Sequence, residues 1–372
     1  MIVYLSIIAF LFIGYSLLIL YYWRNWRSIP DFIAPSVSSP LLFSVIIPAR
    51  NEEKNIAHLL NALARQTYPA DWFEVIVVDD HSTDNTVQQV KQCAGVQLVS
   101  LKEDAINSYK KKAIEAGIGS AKGEWIITTD ADCIPGKNWL STIAAFIAVK
   151  KPVFIAAPVC FTHQPSLLSI FQSLDFLTLQ GITGASVYKN IHSMCNGANM
   201  AYQRNAFYEV GGFKGIDHIA SGDDMLLMHK IWKQYPDQVQ YLKCKDAIVS
   251  TAAMPSWAAF FNQRIRWASK ARLYEDKRII AVLALVYLFN LSFLVLLITS
   301  IVTPLYGWVL LLLWVTKTVI ELPFIYSVAG FFGKRSLVRY FFFFQPLHIA
   351  YTIISGFFGQ LGKYEWKGRR VK

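Results

Sequence analysis

The apolar residues of this chain are gathered into a few long runs, and that constrains its fold more than any other feature. Ile2 to Trp23 is an apolar run of about the length a bilayer-spanning helix needs. Three more close the chain: Ile279 to Val302, Leu305 to Ala329, and Val338 to Leu361. Hydrophobic residues make up 54% of the sequence and charged residues 16%, against about 25% charged in an average soluble domain. A normal core cannot absorb that excess, and a bilayer can.

The formal charge of +11 sits beside the apolar runs, at Arg24 and Arg27, at Lys334, Arg335 and Arg339, and from Lys363 to Lys372. Basic residues at membrane edges mark the cytoplasmic side. The first run, ending in the aromatic belt Tyr21, Tyr22, Trp23 and Trp26, therefore reads as an anchor with its N-terminus outside. No charged segment precedes it and no small-residue cleavage site follows it, which argues against a signal peptide. The next two runs read as a hairpin turning at Thr303-Pro304. A full crossing by the third would carry Lys363, Lys367, Arg369, Arg370 and Lys372 outside, so a re-entrant or interfacial path is its alternative. Intramembrane charged pairs, the mark of a transporter, are not expected, and Glu321 is expected to reach the interface. Nucleic acid is not an expected partner, because the basic residues track membrane edges and no binding motif accompanies them. Five cysteines without a CxxC pair suit a reducing compartment.

Between the runs the pattern changes to alternating strands and helices. Strands are expected at Phe43 to Pro48, Glu74 to Val78, Val96 to Leu101 and Trp125 to Thr129. Helices are expected at Asn51 to Gln66, Thr86 to Cys93 and Lys110 to Ala121. Such alternation predicts a mainly parallel, Rossmann-like sheet with ligands at the carboxyl ends of its strands. Ser166 to Thr183 and Trp257 to Tyr274 are amphipathic and suit a membrane surface, with packing on the sheet as the alternative for the first. The expected organisation is a transmembrane helix at 1–27, a linker at 28–42, a catalytic α/β domain at 43–252, an amphipathic segment at 253–278, membrane helices at 279–361 and a basic tail at 362–372.

Polar clusters fall at the strand ends. In Thr128-Thr-Asp130-Ala-Asp132 two carboxylates one residue apart leave an apolar strand on one side of the chain, a spacing that suits a hard divalent cation beside a ribose or phosphate. Asp79 and Asp80 end another strand and can accept hydrogen bonds from a base or a ribose, while Ser82, Thr83 and Asp84 suit helix capping. Ile47-Pro-Ala-Arg-Asn-Glu52 follows the first strand.

In this order, with Tyr109-Lys-Lys-Lys-Ala before Gly123-Glu-Trp, then Ser221-Gly-Asp-Asp and Gln263-Arg-Ile-Arg-Trp267, these segments resemble glycosyltransferase family 2. The resemblance covers roughly residues 43–270 and implies a GT-A fold, with the QxxRW subgroup of membrane-integrated members as the nearest pattern. It implies that Pro48, Arg50, Glu52, Asp80, Lys110 and Asp130 bind the nucleotide and that Asp132 binds the metal, Mg or Mn. Many members carry Tyr at the position of Arg50, so stacking on the base is not implied there. Lys111 and Lys112 adjoin Lys110 and compete with it for its role. Asp224 would be the general base, with Asp223, Asn199 and Gln263 near the substrate and Arg266 and Trp267 in the catalytic set. A turn capped by Asp223 is the simpler account of Gly222-Asp-Asp224. The implied activity is inverting transfer from a UDP- or GDP-sugar to a lipid-linked or polysaccharide acceptor, at the cytoplasmic face of a bacterial inner membrane. A catalytically silent nucleotide-sugar-binding subunit of an assembly complex is the alternative.

Overall fold

The computed structural model describes residues 2–35, 41–102, 108–162, 165–219, 222–361, 364–366 and 369–371. They form two compact units.

One unit holds 30–162 and 193–252. Its strands are β1 (Phe43–Ala49), β2 (Phe73–Asp79), β3 (Val96–Ser100), β4 (Trp125–Thr128), β5 (Ile134–Pro135), β6 (Phe154–Ala156), β7 (Val159–Phe161), β8 (Met200–Gln203), β9 (Val239–Tyr241) and β10 (Val249–Thr251). Seven make one sheet in the order β3-β2-β1-β4-β8-β6-β9, and β5-β10-β7 form a small second sheet. β1 pairs in parallel with both β2 and β4, and only β8 runs against its neighbours in the large sheet. Val45, Ile46 and Ile47 of β1, Ile76 to Val78 of β2 and Ile126 and Ile127 of β4 are buried, as strands covered on both faces must be. Helix Tyr109–Ser120 lies close over β1 because Gly117 has no side chain; a Cβ there would come within 2.6 Å of Ile46.

The strand order makes β1 the point where the chain switches direction across the sheet. Connections from β1 run outward through β2 and β3, then return to place β4 on the other side. Such a switch opens a crevice at the carboxyl ends of β1 and β4.

Residues 28–42, expected as a linker, make contacts with the α/β unit where they are described. Helix Ile2–Ser28 carries the chain to residue 28. Asp31 then pairs with Lys243 at 3.1 Å, and the Phe32 N–H donates to the Lys243 carbonyl at 2.8 Å. Phe32 also meets Phe146 edge-on, and Leu41 exchanges hydrogen bonds with the Tyr68 hydroxyl.

The other unit is helical. It contains Ile2–Ser28, Leu167–Tyr188, Trp257–Ser269, Lys277–Ser300, Leu305–Phe331 and Phe341–Gly359. Four segments are long and apolar enough to cross a membrane: Ile2–Ser28, Lys277–Ser300, Leu305–Phe331 and Arg335–Gly359. The hairpin turns where the sequence places it, with Pro304 capping the second helix. Helix Leu167–Tyr188 packs against other helices of this unit. Its Gly181 lies against Phe324 and Val328 so closely that a Cβ would approach within 2.5 Å. Near the end of the chain the described residues form two short paired strands, Tyr364–Trp366 and Arg369–Val371.

The structure corrects the expectation for Glu321. It is buried and does not reach an interface. Lys317, one turn earlier, donates to it at 2.7 Å and to Gln345 at 2.6 Å, and Tyr15 and Gln345 donate to its carboxylate as well. A charged pair therefore does lie within an apolar helix, satisfied from three helices. A second polar cluster joins Asp175, Arg264 and Tyr351. Arg264 Nη2 meets Asp175 at 2.6 Å, both side chains are 3% exposed, and the Tyr351 hydroxyl donates to the same carboxylate.

Candidate active site

The loop after β1 folds onto the loop after β2. The expected helix at Asn51 begins only at Ile56. Residues 51–53 instead serve the neighbouring loop. Asn51 takes a left-handed φ of 52°; its N–H donates to Ser82 Oγ at 3.0 Å and its Oδ1 accepts the Thr83 N–H at 2.8 Å. The Glu52 N–H donates to Thr86 Oγ1 at 2.7 Å and the Glu53 N–H to Asp84 Oδ2 at 3.0 Å. The cluster read as helix capping does cap through Asp84, whose Oδ1 accepts the Thr86 N–H at 3.0 Å, but it also forms a clasp between two loops. Asn55 and Asn85, the residues preceding the two helices, make no side-chain capping bond.

The clasp presents the first group of expected residues together. Pro48, one residue before the end of β1, lies opposite Val78. Asp80 is buried, 3.9 Å from Arg50 Nη1. The same Arg50 nitrogen donates to the Asp80 carbonyl at 2.7 Å and the His81 carbonyl at 3.1 Å, so Arg50 braces this turn. Glu52 accepts from Asn55 Nδ2 at 2.7 Å.

The second group gathers around Lys110. Its ammonium lies 2.7 Å from Asp130 and 3.1 Å from Asp223. Burial works against its charge, but Asp130, Asp223 and Asp224 together hold its pKa well above the ordinary lysine value. A raised folded pKa means this contribution to stability is in full force below about pH 10.4 and fades only as pH rises through the higher folded value. The ammonium therefore stays charged across the neutral range. The three consecutive lysines are told apart by geometry. Lys111 is buried and donates to the carbonyls of Ile216 and Ile219, both at 2.7 Å, which pins the segment leading to Asp223. Lys112 pairs with Glu115 at 2.9 Å.

Asp224, not Asp223, caps helix Met225–Gln234, accepting the Met225 N–H at 2.7 Å. Its other oxygen accepts the Gly197 N–H at 3.3 Å. Gly197 is a residue that sequence reasoning left with no firm role. A Cβ on it would lie 3.1 Å from Asp223, 3.3 Å from Lys110 Nζ and 3.5 Å from Asp224 Cβ, so a larger residue would crowd the site. Thr128 Oγ1 donates to its carbonyl at 3.1 Å, tying the loop to β4. Asn199, expected near the sugar, is wholly buried. Its amide donates to the carbonyls of Pro158 and Ala247, both at 2.8 Å, and its oxygen accepts from Trp139 Nε1 at 3.0 Å. These bonds use both amide hydrogens, so Asn199 scaffolds the loop from within.

Asp130, Asp132 and Cys133 each offer a ligand atom, all within 4.8 Å of one another. Burial, with Asp132 and Asp130 nearby, pushes the Cys133 thiol well above its ordinary pKa. The two carboxylates are oxygen donors of the kind a hard divalent cation such as Mg or Mn takes.

Gln263, Arg266 and Trp267 lie on helix Trp257–Ser269 of the helical unit. The buried arginine of this motif is Arg264, whose guanidinium lies 4.2 Å from the centre of the Trp267 ring and 4.8 Å from that of Phe260. Its Nη1 donates to Gln263 at 3.2 Å, and Trp267 also faces Phe176. The arrangement fixes the Trp267 ring, and Arg264 carried no expectation from the motif.

The mostly parallel sheet, with carboxylates and a lysine gathered at its switch point, has the GT-A fold. Residues 44–211 match the model of the glycosyl transferase family 2. Among curated proteins, the poly(ribitol-phosphate) beta-N-acetylglucosaminyltransferase TarS of Staphylococcus aureus is 41% identical over 106 residues, 28% of this chain and 18% of that protein. The glycosyltransferase AglE of Haloferax volcanii is 28% identical over 188 residues, 49% of this chain and 58% of that protein. The chain thus spans less than two thirds of the relatives it matches. Among solved structures, the mannosyltransferase PcManGT from Pyrobaculum calidifontis, in complex with GDP-Man and Mn2+, superposes with a TM-score of 0.57 at 20% identity, covering 95% of this chain and 98% of that one. That likeness is one of fold.

Proposed function

We propose that this protein transfers a sugar, with inversion, from a UDP- or GDP-sugar to a membrane-associated lipid or polysaccharide acceptor at the cytoplasmic face of a bacterial inner membrane. The observation that carries the reading is the cluster of Lys110, Asp130, Asp223, Asp224 and Gly197 at the carboxyl end of β4. A nucleotide-sugar transferase needs one group to accept a proton from the attacking hydroxyl and positive charge to stabilise the departing diphosphate. Both are present within one cluster.

Asp224 accepts the proton of the acceptor hydroxyl. The freed oxygen forms a bond to the anomeric carbon from the face opposite the nucleotide, the bond from that carbon to the phosphate oxygen breaks, and the nucleoside diphosphate leaves. Lys110, held charged by its carboxylate neighbours, contributes positive charge beside the leaving group. Asp132, with Asp130 beside it, would hold Mg or Mn, which when bound supplies Lewis-acid stabilisation of the diphosphate. Pro48, Arg50, Glu52 and Asp80 line the nucleoside side. Asp223 positions Lys110. Gln263, Arg266 and Trp267 take the substrate and diphosphate roles that their match to QxxRW assigns.

Four helices able to cross a bilayer support a membrane-bound acceptor. The test is the product. Incubation with a sugar-nucleotide panel and native lipids should give a glycoside of anomeric configuration opposite to the donor, assigned by NMR. Retained configuration would refute inversion, and a water-soluble product alone would refute the membrane acceptor.

A further inference from the structure

Four described non-glycine residues have a left-handed backbone: Asn51, His81, Lys151 and Asn190. Such a backbone is uncommon for residues bearing a side chain and asks for a reason. Lys151 and Asn190 follow the ends of helices, where the conformation is ordinary. Asn51 spends its side chain on the clasp to Thr83. His81, with φ 53°, does neither.

Several contacts hold His81 in place. Its Nδ1 is 3.1 Å from Asp80 Oδ1, its carbonyl accepts from Arg50 Nη1 at 3.1 Å, and its ring meets Tyr109 edge-on at 6.4 Å. The side chain remains 33% exposed, and Nε2 has no hydrogen-bond partner among the described residues. The ring stands just beyond the end of β2, beside the β1 loop that borders the switch-point crevice.

We propose that His81 is a specificity-determining contact to the base of the donor nucleotide, made through Nε2. This rests on the nucleotide-sugar reading above. Charge selects the base over the phosphates. Asp80 and Asp79 lie next to His81, whereas the charged lysine is paired at Asp130. A ring nitrogen that donates or accepts matches the carbonyl and N–H groups on a base edge.

Titration calorimetry on the full chain in detergent with Mn2+ would compare UDP, GDP and pyrophosphate for wild type, His81→Gly and His81→Asn. Glycine relieves the backbone, and asparagine tolerates it while still reaching Asp80. Both variants should weaken the preferred nucleotide by about tenfold and narrow the preference between UDP and GDP. Pyrophosphate affinity should not move, and the Tm of His81→Gly should hold or rise by about 1–2 °C. Unchanged nucleotide affinity in both variants would overturn the proposal. So would a loss for all three ligands together with a lower Tm, which marks a structural role. A wild type that binds neither nucleotide would instead overturn the nucleotide-sugar reading, and the assignment of His81 with it.

Discussion

Asp224→Asn is expected to lower sugar transfer by roughly 10²- to 10⁴-fold, the contribution of a positioned general base, with nucleotide affinity and Tm near wild type. Asparagine keeps the shape of aspartate and ranks with it as a helix cap, so the bond to the Met225 N–H survives. What it loses is the ability to take a proton. The substitution therefore separates the capping bond of Asp224 from the proton-accepting role proposed for it. Activity within tenfold of wild type would mean that Asp224 only caps its helix. A large fall in Tm would mean that the carboxylate charge, paired in the field of Lys110, holds the site together.

The second large effect belongs to the helical unit. Asp175→Ala should destabilise it by about 3–5 kcal/mol, because it strands the Arg264 charge in a buried place. Tyr351 would lose its acceptor as well. Replacing both partners, Asp175→Leu with Arg264→Met, should recover most of the loss, since neither member of the pair is then left charged and alone. Thermal unfolding in detergent reads both variants. Equal losses in the single and the double variant would show that Arg264 matters for its packing between Phe260 and Trp267, and not for its charge.

The large sheet was legible because strands buried on both faces read as apolar runs: β1, β2, β3 and β4 fall within one residue of their expected ends. Short strands such as β6 and β9 gave no such signal, because three residues carry no usable periodicity. The helix after β1 starts late for a reason local propensity cannot contain, namely hydrogen bonds from Asn51, Glu52 and Glu53 to a loop some thirty residues on. Lys110, Lys111 and Lys112 look alike in sequence, and only their rotation about the helix sends one to the carboxylates and one to the carbonyls of Ile216 and Ile219. Lys317 and Glu321 were within reach of the sequence, being one turn apart, but their burial depends on Tyr15 and Gln345 from other helices. Asn199 misled for the opposite reason. An asparagine in a glycine-bearing loop suits a ligand contact equally well, and only the buried carbonyls of Pro158 and Ala247 reveal what it serves.

Metal-assisted transfer from a nucleotide sugar is read out by nucleoside diphosphate release as Mn2+ or Mg2+ is titrated. The purified chain, with native lipids and a panel of donors, is compared with Asp132→Ala. Saturable, metal-dependent release with one donor is expected, abolished by chelation and reduced at least about a hundredfold in Asp132→Ala. Release that persists under chelation and survives loss of Asp132 would rule out a role for the metal.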